Sequence, residues 1–166
     1  MLKNMIADII EMNQEKMLPP MVADIPADKM AAQTIPGMNH PAWLLGHLLA
    51  FEQLVITRVI GKTVKHPLGE NWRDIYGIGS TPKADLKLYK PKEFYMEGLQ
   101  ESVGIIAEYI RQLPEADLQK PLPDADLAKR IPNIARLLII LPTHRAYHAG
   151  QLAIWRKAAG LPHVGM

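Results

Sequence analysis

An all-α fold, a four-helix bundle, is what this sequence predicts, and three observations carry the prediction. Four segments repeat apolar residues at spacings of three and four. No stretch alternates apolar and polar residues over a comparable length, and most prolines and glycines fall between the periodic segments. With 166 residues, 48% of them hydrophobic and 22% charged, the chain can enclose one core, so residues 1–166 are expected to form a single domain. It contains neither an internal repeat of fixed period nor a low-complexity tract.

The first helix is predicted over residues 2–24, where Met5, Ile6, Ile9, Ile10, Met17 and Met21 keep helical spacing and Pro19–Pro20 predict a kink or break near the end. A second runs from His40 to Ile60, with Asn39 as candidate N-cap, Pro41 in the first turn where its missing N–H costs nothing, and Gly61 just past the last periodic residue. The following stretch, 62–91, is rich in Gly, Pro and charge and too long for an inert connector, which makes it the candidate functional loop. Phe94, Leu99, Val103, Ile106, Tyr109 and Ile110 define a third helix, stopped by Pro114. The fourth spans Asn133 to Ala159, ends at Gly160, and contains Pro142, which should remove one backbone hydrogen bond and bend it. A connection as long as 62–91 is expected to be a crossover that departs from simple up-down order.

Composition removes several classes of function. The chain has no cysteine, so disulfides, thiolate ligands and a cysteine nucleophile are excluded. Nineteen basic and 17 acidic residues nearly balance and never form a run of five like charges, so no nucleic-acid partner is expected. Asp8 and Glu11 interrupt the apolar start, and no segment approaches 18 uninterrupted apolar residues. A cytoplasmic protein without membrane association is the expectation.

The histidines carry the chemistry. On a helix, residues i and i+4 differ by about 40° around the axis, so His144 and His148 project side by side. Both lie on or beside the apolar stripe of Ile134, Leu137, Leu141, Leu152 and Trp155. His47 falls likewise among Leu44, Leu48, Phe51, Leu54 and Val55. A single inward histidine is commonly a structural residue donating to a backbone carbonyl. Three on two helices admit a second reading, in which one shared cation satisfies three nitrogens together. The metalloprotease motif HExxH would need Glu at position 145, which is Arg145, and no Glu-x-x-His motif of a di-iron bundle occurs. Three neutral imidazoles without a required carboxylate suit divalent Zn, Ni or Fe and leave coordination positions open. His40, His66 and His163 are assigned surface roles, and Glu52 is expected to face solvent. Gln151 either orients a ligand or lies on the helix surface. Trp43 and Trp155 read as core, and Trp72 as a candidate lid residue. Gly77–Ser80 lacks the lysine and strand of a phosphate-binding turn and reads as loop.

"NHPAWLLGHLLAFEQ" and "HRAYHAGQLAIWRKAAGLP", in this order and with a "WRDIYGIGS" loop between them, resemble the DinB/YfiT-like metalloenzyme family over most of the chain. The resemblance implies a four-helix bundle of unusual connectivity with a divalent metal held by His47, His144 and His148. It also implies a small-molecule substrate, since some relatives are transferases or isomerases that use low-molecular-weight thiols such as bacillithiol or mycothiol. The expected function is a metal-dependent enzyme, in one form a thiol-dependent transferase. The alternative is a non-catalytic metal-binding bundle with a structural, sensing or partner-binding role. A homodimer is compatible with such bundles.

Overall fold

Residues 2–164 are described by the computed structural model, and every regular element among them is helical. Helix α1 (Leu2–Met12) continues through a π turn (Asn13–Met17) into α2 (Leu18–Ala23). The interruption of this first segment therefore precedes Pro19 and Pro20. Those prolines stand in the first turn of α2, where no backbone N–H is required. The π turn presents two polar residues, Asn13 and Gln14, to the interior.

Helix α3 (Pro41–Val55) is prolonged by a second π turn (Ile56–Ile60) and closed by Gly61, whose φ of +76° is a left-handed conformation suited to glycine. Its N-cap is His40, not Asn39: the His40 Nδ1 accepts from the Trp43 N–H at 3.3 Å, and its Nε2 donates to the Lys83 carbonyl at 3.1 Å. Both nitrogens are thus committed, and His40 is fully buried rather than on the surface. Two further short helices sit in the connections, α4 (Trp72–Tyr76) within the long loop and α6 (Ala125–Ala128) before the last helix. The third and fourth predicted helices are α5 (Lys92–Gln112) and α7 (Ile134–Ala158). Asn133 caps α7, and Pro142 lies inside the continuous helix.

Side-chain contacts set the topology. Gln14 meets Arg145 and Asp24 meets Arg156, so the first segment and α7 run parallel. Leu49 approaches Gly98 and Lys62 pairs with Glu108, so α3 and α5 are also parallel. Lys92 reaches carbonyls at the end of α2 while Arg111 pairs with Asp8 and Glu11, which makes α5 antiparallel to the first segment. The four long helices therefore run up, down, down, up. Only a connection that returns the full length of the bundle can join two parallel neighbours, and residues 62–91 supply it, as the length of that loop predicted. The core has two apolar halves, one around Leu48, Leu49, Tyr95, Leu99 and Trp155, the other around Ile10, Ile56, Ile106, Leu137 and Leu141. The Pro41–Ile60 helix is apolar and long enough to cross a membrane by length and composition, but 56% of its most apolar window is buried inside the bundle, as befits a core helix.

Candidate metal centre

Antiparallel packing of α3 against α7 brings His47 to His144 and His148. The His144 Nε2 lies 3.2 Å from the His47 Nε2 and 3.0 Å from the His148 Nε2. The outer nitrogens of two rings are held by the fold. His47 Nδ1–H donates to the Tyr76 carbonyl at 2.6 Å, and His148 Nδ1–H donates to Gln151 Oε1 at 3.0 Å. Those bonds fix the tautomers, so the Nε2 lone pairs of His47 and His148 both face the centre. A proton on His144 Nε2 could serve one of its two contacts only, whereas a cation would serve all three nitrogens. In a tetrahedral site with Zn–N of about 2.0–2.1 Å the ligand nitrogens stand roughly 3.3 Å apart, close to the two separations made by His144, while the three ligand atoms together lie within 4.8 Å of one another.

Burial keeps the imidazoles in the neutral form that donates lone pairs. It lowers the His144 pKa to about 3, with the neighbouring His148, His47 and Arg145 charges acting in the same direction. His148 falls to about 4, again mainly by burial, opposed by its bond to Gln151. His47 is lowered by burial against the opposing bond to Tyr76. His148 is 6% exposed while His47 and His144 are half-buried, so the nitrogens meet at the rim of the core within reach of solvent.

Aromatic rings wall the centre. Trp43 stacks on His47 at 4.7 Å with planes 8° apart, Phe51 meets His144 edge-on at 4.8 Å, and Tyr147 meets His148 at 5.0 Å. The long loop is tied to this wall. Trp43 Nε1 donates to Ser80 Oγ, which donates to the Ile75 carbonyl, so the Gly77–Ser80 turn and α4 are anchored to α3. Tyr76 lies flat against Gly46, where any side chain would overlap its ring, and its hydroxyl pairs with that of Tyr95 at 2.6 Å. Gly46 is required by this approach, which places the Tyr76 carbonyl on His47. Gln151 is an orienting residue, its Oε1 accepting from Asn39 as well as from His148. Trp43 and Trp155 are core residues as expected, while Trp72 is half-buried on the core with the Arg73 guanidinium 5.2 Å above its ring.

The structure corrects Glu52, which does not face solvent. It is 2% exposed and takes a bidentate pair from Arg145, at 2.6 Å from Nε and 2.8 Å from Nη2, while Arg145 Nη1 donates to Gln14 at 2.7 Å. Burial pushes the Glu52 pKa up and Arg145 opposes it, and the short bidentate geometry is that of an ionised carboxylate. Sequence reasoning missed this triad. Its signal is present: Glu52 and Arg145 each stand three or four residues from core positions on both sides. His66 is half-buried between Glu97 and Glu101, away from the centre, and His163 is exposed. Because Glu52 is committed to Arg145, the centre has three histidine donors and no carboxylate among the described residues.

The family model of the DinB superfamily matches residues 12–152, a span holding all three histidines. The crystal structure of a conserved protein from Enterococcus faecalis is similar in fold, with a TM-score of 0.69 over 93% of this chain and 94% of that one, at 16% identity. No curated protein matches the sequence.

Proposed function

The chain belongs to the DinB superfamily, and on that premise we propose that it is a metal-dependent enzyme whose divalent ion, Zn, Ni or Fe, is held by the Nε2 atoms of His47, His144 and His148. The observation that carries this reading is the convergence of three neutral imidazoles, two of them with their outer nitrogens fixed, with no fourth histidine or carboxylate donor grouped with them among the described residues. A donor set of three leaves coordination positions open, which is the catalytic rather than the structural type of site. A cation there would lower the pKa of a thiol or water in its open positions and so supply a nucleophile at neutral pH.

The protein residues do the positioning. Tyr76 and Gln151 orient two of the rings, and Trp43, Phe51 and Tyr147 form an aromatic wall that favours an apolar electrophile and thins the water around it. Among the described residues no acidic side chain at the centre is available as a general base, because Glu52 is occupied by Arg145. The nucleophile we propose is a small-molecule thiol, which gives its proton to solvent as its pKa is lowered; its sulfur then forms the C–S bond while the leaving group departs with its electron pair. The absence of cysteine means the thiol comes from outside, from a pool kept reduced as in the cytoplasm.

The test is metal content of protein purified without chelator or affinity metal, compared with His47→Ala and His148→Ala, followed by assays of thiol and electrophile pairs. Near-stoichiometric metal, lost in both variants, and metal-dependent turnover are expected. Metal content unaffected by either substitution after reconstitution would overturn the assignment of the ligands.

A further inference from the structure

We infer that the cavity between α3, α4 and the start of the long loop binds a small apolar molecule carrying one carboxylate. The apolar body lies against Leu54, Leu68 and Trp72, and the carboxylate is held by Arg73. The cavity has a volume of about 410 Å³ and mostly apolar walls with a few polar groups, which is how small-molecule sites are built. None of the three candidate metal ligands lines it, so the inference stands apart from the metal. Ala50 and Leu54 nevertheless lie one and two turns beyond His47 on α3. A molecule seated there is beside the centre, about 10 Å from His47 measured along the helix.

Leu54 singles this cavity out. Its place in the apolar stripe of α3 predicts a core residue, yet it is half-buried and belongs to neither half of the core. It lines the cavity instead, as apolar surface that the fold leaves uncovered and a ligand gains by covering. The loop side is held in place before any ligand arrives. Gln53 Nε2 donates to the His66 carbonyl at 2.6 Å and its Oε1 accepts from the Leu68 N–H at 3.3 Å, tying the loop to α3. Glu101 accepts from the Lys65 N–H at 2.8 Å and ties the same segment to α5. Binding therefore has little left to order.

Charge at the cavity sets the chemistry of its ligand. Arg73 is exposed, its guanidinium stands 5.2 Å above the Trp72 ring, and it has no hydrogen bond or ion pair to another described residue. Stacking on the indole orients the guanidinium while leaving its N–H groups free. Arg58 also lines the cavity but is shared with Asp124 at 3.4 Å, and Glu70 on the same lining repels negative charge. One free cation with an acid beside it suits a single negative charge and disfavours a doubly charged phosphate. A planar carboxylate can take two parallel N–H bonds from such a fork.

The test is isothermal titration of phenylpropionate into the full chain as purified and again after chelator treatment, with phenylpropionamide and phenylpropyl phosphate as comparisons. Saturable binding of the acid is expected in both preparations. It should be at least about tenfold weaker for the amide and for Arg73→Gln, each of which removes a charge-assisted hydrogen bond. Leu54→Gln should also weaken it, by about tenfold, through loss of the apolar wall. Both variants should keep the circular dichroism and melting of the wild type, because Arg73 is exposed and Leu54 lies outside the core. Absence of saturable binding at millimolar acid would overturn the inference, as would an amide that binds as tightly or a phosphate that binds more tightly. So would an affinity unchanged in both variants, or binding that disappears with the metal and thereby places the acid on the histidines.

Discussion

Replacing Glu52 by leucine should destabilise the protein by about 3–5 kcal/mol, because it strands the Arg145 guanidinium in an apolar interior. The side chains of Arg145 and Glu52 are 1% and 3% exposed, so water cannot take over the lost partner. In a chain of this size about 1 kcal/mol moves the midpoint by roughly 2–4 °C, so a fall on the order of 10 °C is expected. Glu52→Leu with Arg145→Met removes both charges and should recover most of the loss, since a buried ion pair gains little over hydrophobic residues of similar volume. Recovery should stop short by about 1–3 kcal/mol, because the buried Gln14 amide oxygen loses the donor it has in Arg145 Nη1. The assay is urea unfolding of the chelator-treated protein at one fixed protomer concentration, as a double-mutant cycle, so that metal does not contribute and all variants are compared under the same conditions. A loss below about 1 kcal/mol for Glu52→Leu would refute the reasoning, as would a double variant whose loss equals the sum of the two single ones.

Gly46→Ala should destabilise by about 1–3 kcal/mol despite the better helix propensity of alanine, because the new methyl displaces the buried Tyr76 ring; isothermal titration should show weaker metal binding, since the Tyr76 carbonyl leaves His47. Gln151→Leu should lower metal affinity about 10- to 100-fold with little change in melting of the metal-free protein, and unchanged affinity would remove Gln151 from an orienting role. Stability without metal should fall as pH drops. His144 and His148 have folded pKa values of about 3 and about 4, below the unfolded value near 6.5, so between pH 6.5 and 4 these two alone take up about two protons on unfolding, and His47, also lowered, adds in the same direction. Urea midpoints across that range check this, and His144→Gln should flatten the dependence.

Three histidines were legible as a group because each breaks an apolar stripe at helical spacing, and a bundle must pack its stripes together. The crossover was legible from the length of the 62–91 connection. What sequence did not show is the polar layer, and the reason is physical. Burying Glu52 or Arg145 alone is prohibitive, so each read singly belongs in water. Only a partner 93 residues away makes the interior tolerable, and periodicity within one helix carries no information about that partner. The N-cap of α3 was misplaced for a related reason. Asn39 is the better capping residue by type, but its side chain is drawn to Gln151 by the fourth long helix, and His40 caps instead. These departures from local rules are not scattered. Glu52 follows Phe51, whose ring packs on His144; Arg145 follows His144 itself; and Asn39 shares its acceptor with His148. Along α1–α2, α3 and α7 alike, Gln14, Glu52 and Arg145 fall between residues of the two apolar halves of the core. Replacing that layer with apolar residues would give an easier core to fold, so its energetic value lies in register: it is satisfied only when α3 and α7 stand where their histidines meet.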